Sequence, residues 1–523
     1  MTARHFLLCL ACLCGVQLCL ADTLLPAVFS DHMVLQRNQP CRVWGWDDAG
    51  QPVTVSFAGQ THRTVSGDDG RWQVNLEPTA ASSAPRVLRI SGTTEVKIND
   101  VLVGEVWLCA GQSNMALALH KTWSGDLSAL AAGNAQLRLL RVPHVGSPEL
   151  KRDFEGQWEH ALPATAANFS AVGYHFGEHL QRILGVPVGL IDNSWGGSAI
   201  ETWISRAAAE AHPPFADRVD ELVKLETYHQ SAAAWEDYEN QKCQWPAERE
   251  RAIAEGRYPP PAPQTPDQWL TGNKRLGNGF GGSVHPLLGY GIRGVIWYQG
   301  ESNAGRAADY YDQFPFLIEQ WRSEWGQGNF PFYWVQLPGF IGFTPDTSAP
   351  GDAAWAELRE AQTRAQTLPH TGQAVTIDLG EGNDIHPRLK LPVAQRLLRL
   401  ALHHDYGFKD LSYRSPEYRD HAINGDRVTI SFDCFGSSLR TINTADVQGF
   451  AICGEDQIWH WAEAEIVGDS QVKVWAPGVD GPVAVRYAWS NNPPANLITT
   501  DGLPATPFRT DDFPLSTRSV SKN

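Results

Sequence analysis

The stretch Val106-Trp107-Leu108-Cys109-Ala110-Gly111-Gln112-Ser113-Asn114-Met115-Ala116-Leu117-Ala118-Leu119 decides how this 523-residue chain is read. An apolar run of strand length enters a Gly-Gln-Ser-Asn turn, and a segment that reads as the start of a helix follows. Such a turn holds a serine Oγ out at the carboxyl end of a strand, where open α/β sheets place their chemistry. Three further loops also stand where hydrophobic runs end: Trp195-Gly196-Gly197-Ser198, Gln299-Gly300-Glu301-Ser302-Asn303 and Asp384-Ile385-His386-Pro387.

Outward from that stretch, the hydrophobic period changes twice. Before it, short alternating runs such as Arg42 to Trp46, Val53 to Phe57, Trp72 to Leu76 and Val87 to Ile90 predict a β-sandwich module over 22–103. From 104 to 411, apolar strands alternate with helices: Val186 to Ile191, Gly294 to Tyr298, Phe332 to Val335 and Ala374 to Ile377. That alternation predicts an α/β domain with a mostly parallel sheet covered by helices. Residues 206–275 interrupt it with Ala, Glu and Trp at helical spacing and read as a helical insertion near the site. Alternating strands return over 412–523, a carboxyl-terminal β-rich region with Val428 to Phe432, Val472 to Trp475 and Val483 to Tyr487.

A formal charge of -16 disfavours nucleic acid and anionic membrane surfaces as partners. Residues 1–21 combine Arg4 and His5, an apolar core from Phe6 to Leu20 and small residues at the end, the pattern of a cleavable signal peptide. The expected location is therefore secreted or periplasmic. No later run reaches the ~18 uninterrupted apolar residues of a membrane span. Of nine cysteines, four leave with the leader, and Cys434 and Cys453 are close enough in sequence to form a disulfide, with buried free thiols as the alternative. No Cys-x-x-Cys pair, His-Glu-x-x-His helix or phosphate loop is present, so neither a metal nor a cofactor is expected.

The chemistry follows by role. A serine hydroxyl needs a base within reach, and the base needs a group to orient it. Ser113 is the expected nucleophile and His386 its base. Asp384 is the expected orienting carboxylate, with Asp378 as its rival. Negative charge developing on a carbonyl oxygen calls for donors: the Ser113 amide, Gly197 with Gly196 as competitor, and a side chain for which Gln299 is placed ahead of Asn303. Glu301 is a candidate supporting partner.

In this order the four loops resemble the sialate O-acetylesterase family, a branch of the SGNH hydrolases. Val28 to Gln36 and Gly502 to Thr510 extend the resemblance over nearly the whole mature chain. The resemblance implies a three-layer α/β/α SGNH domain and metal-independent removal of acetyl groups from sugar hydroxyls, with Ser113 as nucleophile and His386 as base. Two departures stand out. The wider pattern has Asp-x-x-His where this chain has Asp384-Ile385-His386, and Ser302 stands where that pattern places an asparagine.

The expected substrate is an acetylated oligosaccharide or sialic acid. A sialate would call for an arginine to clamp its carboxylate, for which Arg388 and Arg359 are candidates. Acetylated xyloglucan or xylan, the alternative, would call for stacking aromatics such as Trp195 and Trp297. A lipase or thioesterase would share the catalytic parts but need an acyl channel. A non-catalytic glycan-binding protein would explain the β regions but not the four loops. Nothing in the sequence specifies an oligomeric state.

Overall fold

The computed structural model of the chain describes residues 22–255, 257, 259–341 and 350–518. The expected signal peptide, with its four cysteines, lies outside these residues. The chain is a mixed α/β protein: a central, mostly parallel sheet flanked in sequence by antiparallel β structure. The strands of the central sheet are β1 (Glu95–Gly111), β2 (Asn134–Arg141), β3 (Trp158–Ala161), β4 (Val188–Ser194), β5 (Gly294–Tyr298), β6 (Phe332–Val335) and β7 (Thr371–Ala374). Their order is β7-β6-β5-β1-β4-β2-β3, and only edge strand β3 runs antiparallel to its neighbour. The last strand falls at Thr371–Ala374 rather than over the apolar run Ala374 to Ile377. Val375 and Ile377 instead join the core of the carboxyl-terminal β region.

Helices α1 (Ala171–Leu184), α2 (Ala307–Trp325), α3 (Ala354–Arg364) and α4 (Lys390–Asp405) cover this sheet. Successive residues of a strand point to opposite faces. On β6, Tyr333 meets His404 of α4, whereas Trp334 packs edge-on against Phe314 of α2. Phe176 of α1 reaches Trp107 of β1, beside Tyr333. Helices α1 and α4 therefore share one face of the sheet and α2 lies on the other.

β1 is a strand of 17 residues that crosses the position where the sequence changes period. Its first part pairs antiparallel with Ser82–Ser91, and the parallel pairing with Val34–Gln36 continues the amino-terminal β structure onto it. Its second part, buried from Val101 to Gly111, lies between β4 and β5. Glu105 sits at the changeover, wholly enclosed. It accepts hydrogen bonds from Arg37, from Gln36 Nε2 at 3.0 Å, from Arg293 Nε at 2.8 Å and from the Tyr406 hydroxyl at 3.0 Å. Burial works against the charge, but Arg293, Gln36 and Arg37 outweigh it and hold the carboxyl below its ordinary value.

The 206–275 segment forms helices Arg206–Glu210, Ala216–His229, Ala232–Ala254 and Pro266–Leu270. The carboxyl-terminal strands form two four-stranded antiparallel sheets and one two-stranded sheet. This region docks on the central domain: Arg359 of α3, fully buried, donates to the carbonyls of Ser490 and Asn491, and Arg509 pairs with Glu360. Cys434 and Cys453 are buried free thiols, so the disulfide considered for them is absent. Among the described residues no helix is long and apolar enough to cross a membrane.

Replacing Glu105 with Ala strands the guanidinium groups of Arg37 and Arg293 at the junction. Equilibrium urea unfolding should show a loss of about 3 kcal/mol, the scale for breaking a buried pair by removing one partner. A loss below about 1 kcal/mol would mean that the cluster does not hold the junction.

Candidate active site

Three strands end level with one another. Gly111 of β1 pairs with Ser194 of β4 on one side and Tyr298 of β5 on the other. The loops that follow are thus delivered to one place, at the carboxyl edge where the chain order reverses from β4 to β5, the usual position of a site in an open α/β sheet. Gly111 makes the turn possible: its φ is +131°, and a Cβ there would stand 2.2 Å from the Tyr298 carbonyl oxygen. Gln112 N–H then donates to that carbonyl at 2.9 Å, and Trp195 N–H donates to the Gly111 carbonyl at 2.9 Å.

Ser113 is partly exposed and opens the short helix Ser113–Ala116. Gly196 lies beside it, since a Cβ on Gly196 would be 3.4 Å from Ser113 Cβ. Gly197 is exposed with φ +74°. Among the described residues, neither the Ser113 nor the Gly197 main-chain N–H has an acceptor, which leaves both as donors.

The other two donor candidates are placed differently. Gln299 is wholly buried; its Nε2 donates to Asn303 Oδ1 at 2.7 Å and Ser198 O at 3.2 Å, and lies 3.3 Å from Gln112 Oε1. Its Oε1 accepts from the Tyr310 hydroxyl. Asn303, also wholly buried, donates to Glu201 Oε2 and accepts from Ile200 N–H. Gln299 spends both amide hydrogens tying loops together, and Asn303 is fully buried in its bonds to Glu201 and Ile200, so neither stands as the free side-chain donor expected of it.

His386 is joined to the serine loop through its neighbour. Asn114 Nδ2 donates to the Ile385 carbonyl at 2.9 Å and also bonds Glu301 Oε1. Asn114 Oδ1 accepts from Lys390 Nζ at 2.6 Å. Lys390 is the first residue of α4, a position where the helix dipole opposes a positive charge, yet it is almost wholly buried, with Nζ 4.8 Å from the Tyr298 ring centre. Burial pushes its ammonium down to about 7, against the pull of Glu301, Glu381 and Asp384. The Glu301 carboxyl is raised by burial despite Asn114 and Lys390. Neither Asn114 nor Lys390 was singled out from sequence. The only signal was adjacency, one residue after Ser113 and four after His386.

Asp384 Oδ1 accepts the His386 main-chain N–H at 2.9 Å but lies 3.9 Å from Nδ1, too far for a hydrogen bond to the ring. Its rival Asp378 is paired with Arg396, which donates to both of its oxygens at 2.6 Å. Burial lowers the His386 pKa, with Asp384 raising it and Lys390 lowering it further. The tie between the serine and histidine loops is the Asn114 bond to the Ile385 carbonyl; a direct serine–imidazole bond often forms only around bound substrate.

The aromatic and cationic candidates divide. Trp195 is half-buried at the glycine loop and stacks on His144 at 5.6 Å. Trp297 has no exposed surface and packs in the core against Trp203, Phe314 and Trp321, which removes it as a substrate contact. Arg388 is exposed, pairs with Glu381 at 3.0 Å and lies over the Trp123 ring. Arg359 is spent on main-chain carbonyls. Trp123, 61% exposed on the loop after the serine helix, is an aromatic surface that sequence reading passed over.

A family model described as carbohydrate esterase, sialic acid-specific acetylesterase, matches residues 276–393. A sialate O-acetylesterase of Mus musculus is 30% identical over 530 aligned residues, covering 91% of this chain and 92% of the relative. Its Homo sapiens counterpart is 27% identical, with 94% of each chain covered. The crystal structure of a carbohydrate acetylesterase from Xanthomonas citri superposes with a TM-score of 0.79 at 37% identity, covering 94% of this chain and all of that one. With similarity along nearly its whole length, the chain belongs to the sialate O-acetylesterase family.

Proposed function

We propose that this carbohydrate O-acetylesterase works through an acetyl-enzyme formed on Ser113, in an SGNH-type domain spanning 104–411 between β modules at 22–103 and 412–523. The observation that carries the reading is the level ending of β4, β1 and β5, with Ser113 beside Gly196 and the His386 loop bonded to Asn114. Ser113 Oγ attacks the acetyl carbonyl while His386 takes its proton. The tetrahedral oxyanion is met by the main-chain N–H groups of Ser113 and Gly197. His386 then protonates the departing sugar hydroxyl, and the same imidazole activates the water that releases acetate. The lowered pKa of His386 supports this role, because it favours the neutral ring that accepts a proton.

For the sugar, the exposed Trp123 and the half-buried Trp195 favour a neutral acetylated hemicellulose, such as xyloglucan or xylan. A sialate carboxylate would have to draw the Arg388 guanidinium from Glu381, and Arg359 is not available. The sialate reading rests on the activity for which the mammalian relatives are named. The leader read at 1–21 supports export of the mature chain.

Acetate release from acetylated xyloglucan, acetylated xylan and 9-O-acetylated sialic acid tests both levels. Ser113→Ala should lower turnover by about 10⁴-fold or more on whichever sugar is hydrolysed; turnover that survives it sinks the mechanism. Release from the sialate alone would reverse the choice of sugar.

Asp384→Asn should cost less than about 100-fold in kcat, well short of the ~10⁴-fold seen when a buried orienting carboxylate is lost. A loss on the larger scale would mean that the carboxylate closes onto Nδ1 when substrate binds.

Lys390→Met removes the cation that opposes imidazolium formation. The acid limb of the kcat/KM profile, which reports the free histidine, should therefore move to higher pH, with turnover reduced. An unmoved limb would confine Lys390 to a packing role.

A further inference from the structure

Away from the esterase centre, three donor atoms converge on one point. His32 Nδ1 lies 2.7 Å from Asp100 Oδ2, and His160 Nε2 lies 3.2 Å from His32 Nδ1 and 3.3 Å from the same carboxylate oxygen. They come from three separate segments: the turn before Val34–Gln36, the early part of β1, and edge strand β3. Asp100 precedes Gly111 on β1 by a distance of roughly 35 Å at about 3.3 Å per residue, so the cluster is remote from Ser113.

As a hydrogen-bond network the cluster is poorly resolved. Asp100 Oδ2 already accepts from Arg138 Nη1 at 2.7 Å. If both rings donate, three hydrogens crowd one oxygen. If His160 presents its lone pair instead, it accepts from His32 Nδ1–H at 3.2 Å, and one hydrogen is then shared between that ring and Asp100 Oδ2. A cation takes a lone pair from each atom and removes the conflict. The triangle is also the right size: one ion can sit about 2.0–2.1 Å from all three donors, the usual range for zinc with imidazole and carboxylate.

Two further observations concern the backbone and the surroundings. His32 and Asp100 both adopt left-handed backbone, with φ +72° and +53°, which is uncommon outside glycine though less so for histidine and aspartate. Arg138, itself buried, anchors the carboxylate through a second bond to Oδ1 at 3.2 Å and donates to the His32 carbonyl at 3.1 Å. It holds two of the ligands as outer partners do in metal sites. All three ligands are partly exposed, which leaves a path for the ion and coordination positions for water.

We propose that His32, Asp100 and His160 form a binding site for a late first-row divalent cation of the zinc type, stapling the amino-terminal turn and edge strand β3 to β1. Two imidazoles and one carboxylate suit zinc, cobalt or nickel better than calcium or magnesium. The Arg138 charge beside Asp100 weakens the site relative to an all-anionic one, so the ion is exchangeable. The esterase reaction proceeds without it.

The test uses the full mature chain stripped with a chelator and dialysed. Calorimetric titration with zinc chloride should show about one site, and zinc should raise the melting temperature. A His32→Ala/His160→Ala variant, with acetate release retained, should lose both responses; retention of either overturns the proposal. If that variant does not fold, the wild-type chain titrated with cobalt decides. Visible ligand-field bands that saturate near one equivalent and vanish on adding one equivalent of zinc support the site, and their absence overturns it.

Discussion

The Glu105 carboxylate is fully enclosed at the middle of the longest strand, where an unpaired charge would cost several kcal/mol. Its partners explain why that cost is met. Gln36 and Arg37 bring the amino-terminal β structure, Arg293 the segment entering β5, and Tyr406 the end of α4. One charge therefore sets where the β module, the strand beside Ser113's own and a covering helix stand relative to β1. Helix α4 is held at both ends, by Tyr406 onto Glu105 and by Lys390 onto Asn114. The His386 loop, which leads directly into that helix, inherits its position from both.

Closer to the chemistry, the loops are joined by buried amides. Gln112 Oε1 accepts from Ser302 N–H at 3.2 Å and lies 3.5 Å from Gly300 N and 3.3 Å from Gln299 Nε2, so the residue before Ser113 is bonded to the third loop. Gly300 permits this only because it has no side chain: its φ is +151°, and a Cβ would stand 2.6 Å from Leu358 Cδ2. Such ties fix the loops, while among the described residues the main-chain N–H groups of Ser113 and Gly197 have no acceptor. Fixed donors need little reorganisation as charge develops, which is where such an arrangement gains rate.

The parallel sheet and the loops at its edge were legible because strands buried on both faces are written as continuous apolar runs, as at Val106 to Ala110 and Gly294 to Tyr298. β7 was misplaced for the same reason. Val375 and Ile377 are as apolar as a strand, but they are buried against the carboxyl-terminal β region, and composition does not say which core a run enters. Trp297 shows a related limit: a large aromatic beside a catalytic loop is equally compatible with a sugar platform and with core packing. Gln299 and Asn303 looked like free donors because the sequence does not show that they bond each other. The His32, Asp100 and His160 convergence had no motif spacing at all, since its members meet only through strand pairing and a turn.

The carboxylate nearest His386 in sequence is where this site departs most from the geometry of a Ser-His-Asp triad. Asp384 stands half in water and at ion-pair distance from the ring, so solvent screens its pull on the imidazolium. Lys390 acts from within the protein, where screening is weaker, and in the opposite sense. Burial of the ring, with Lys390 in support, outweighs Asp384, and the result is an imidazole that gives up its proton easily and is positioned more by its loop than by an acid beneath it. An acetyl ester tolerates such a base. Its leaving group is an alcohol, which departs far more readily than the amine of a peptide, so less stabilisation of the charged histidine is needed at the moment of transfer. The geometry is therefore better matched to ester than to amide hydrolysis, and the match arises first from burial of the ring and then from where two charges sit relative to water.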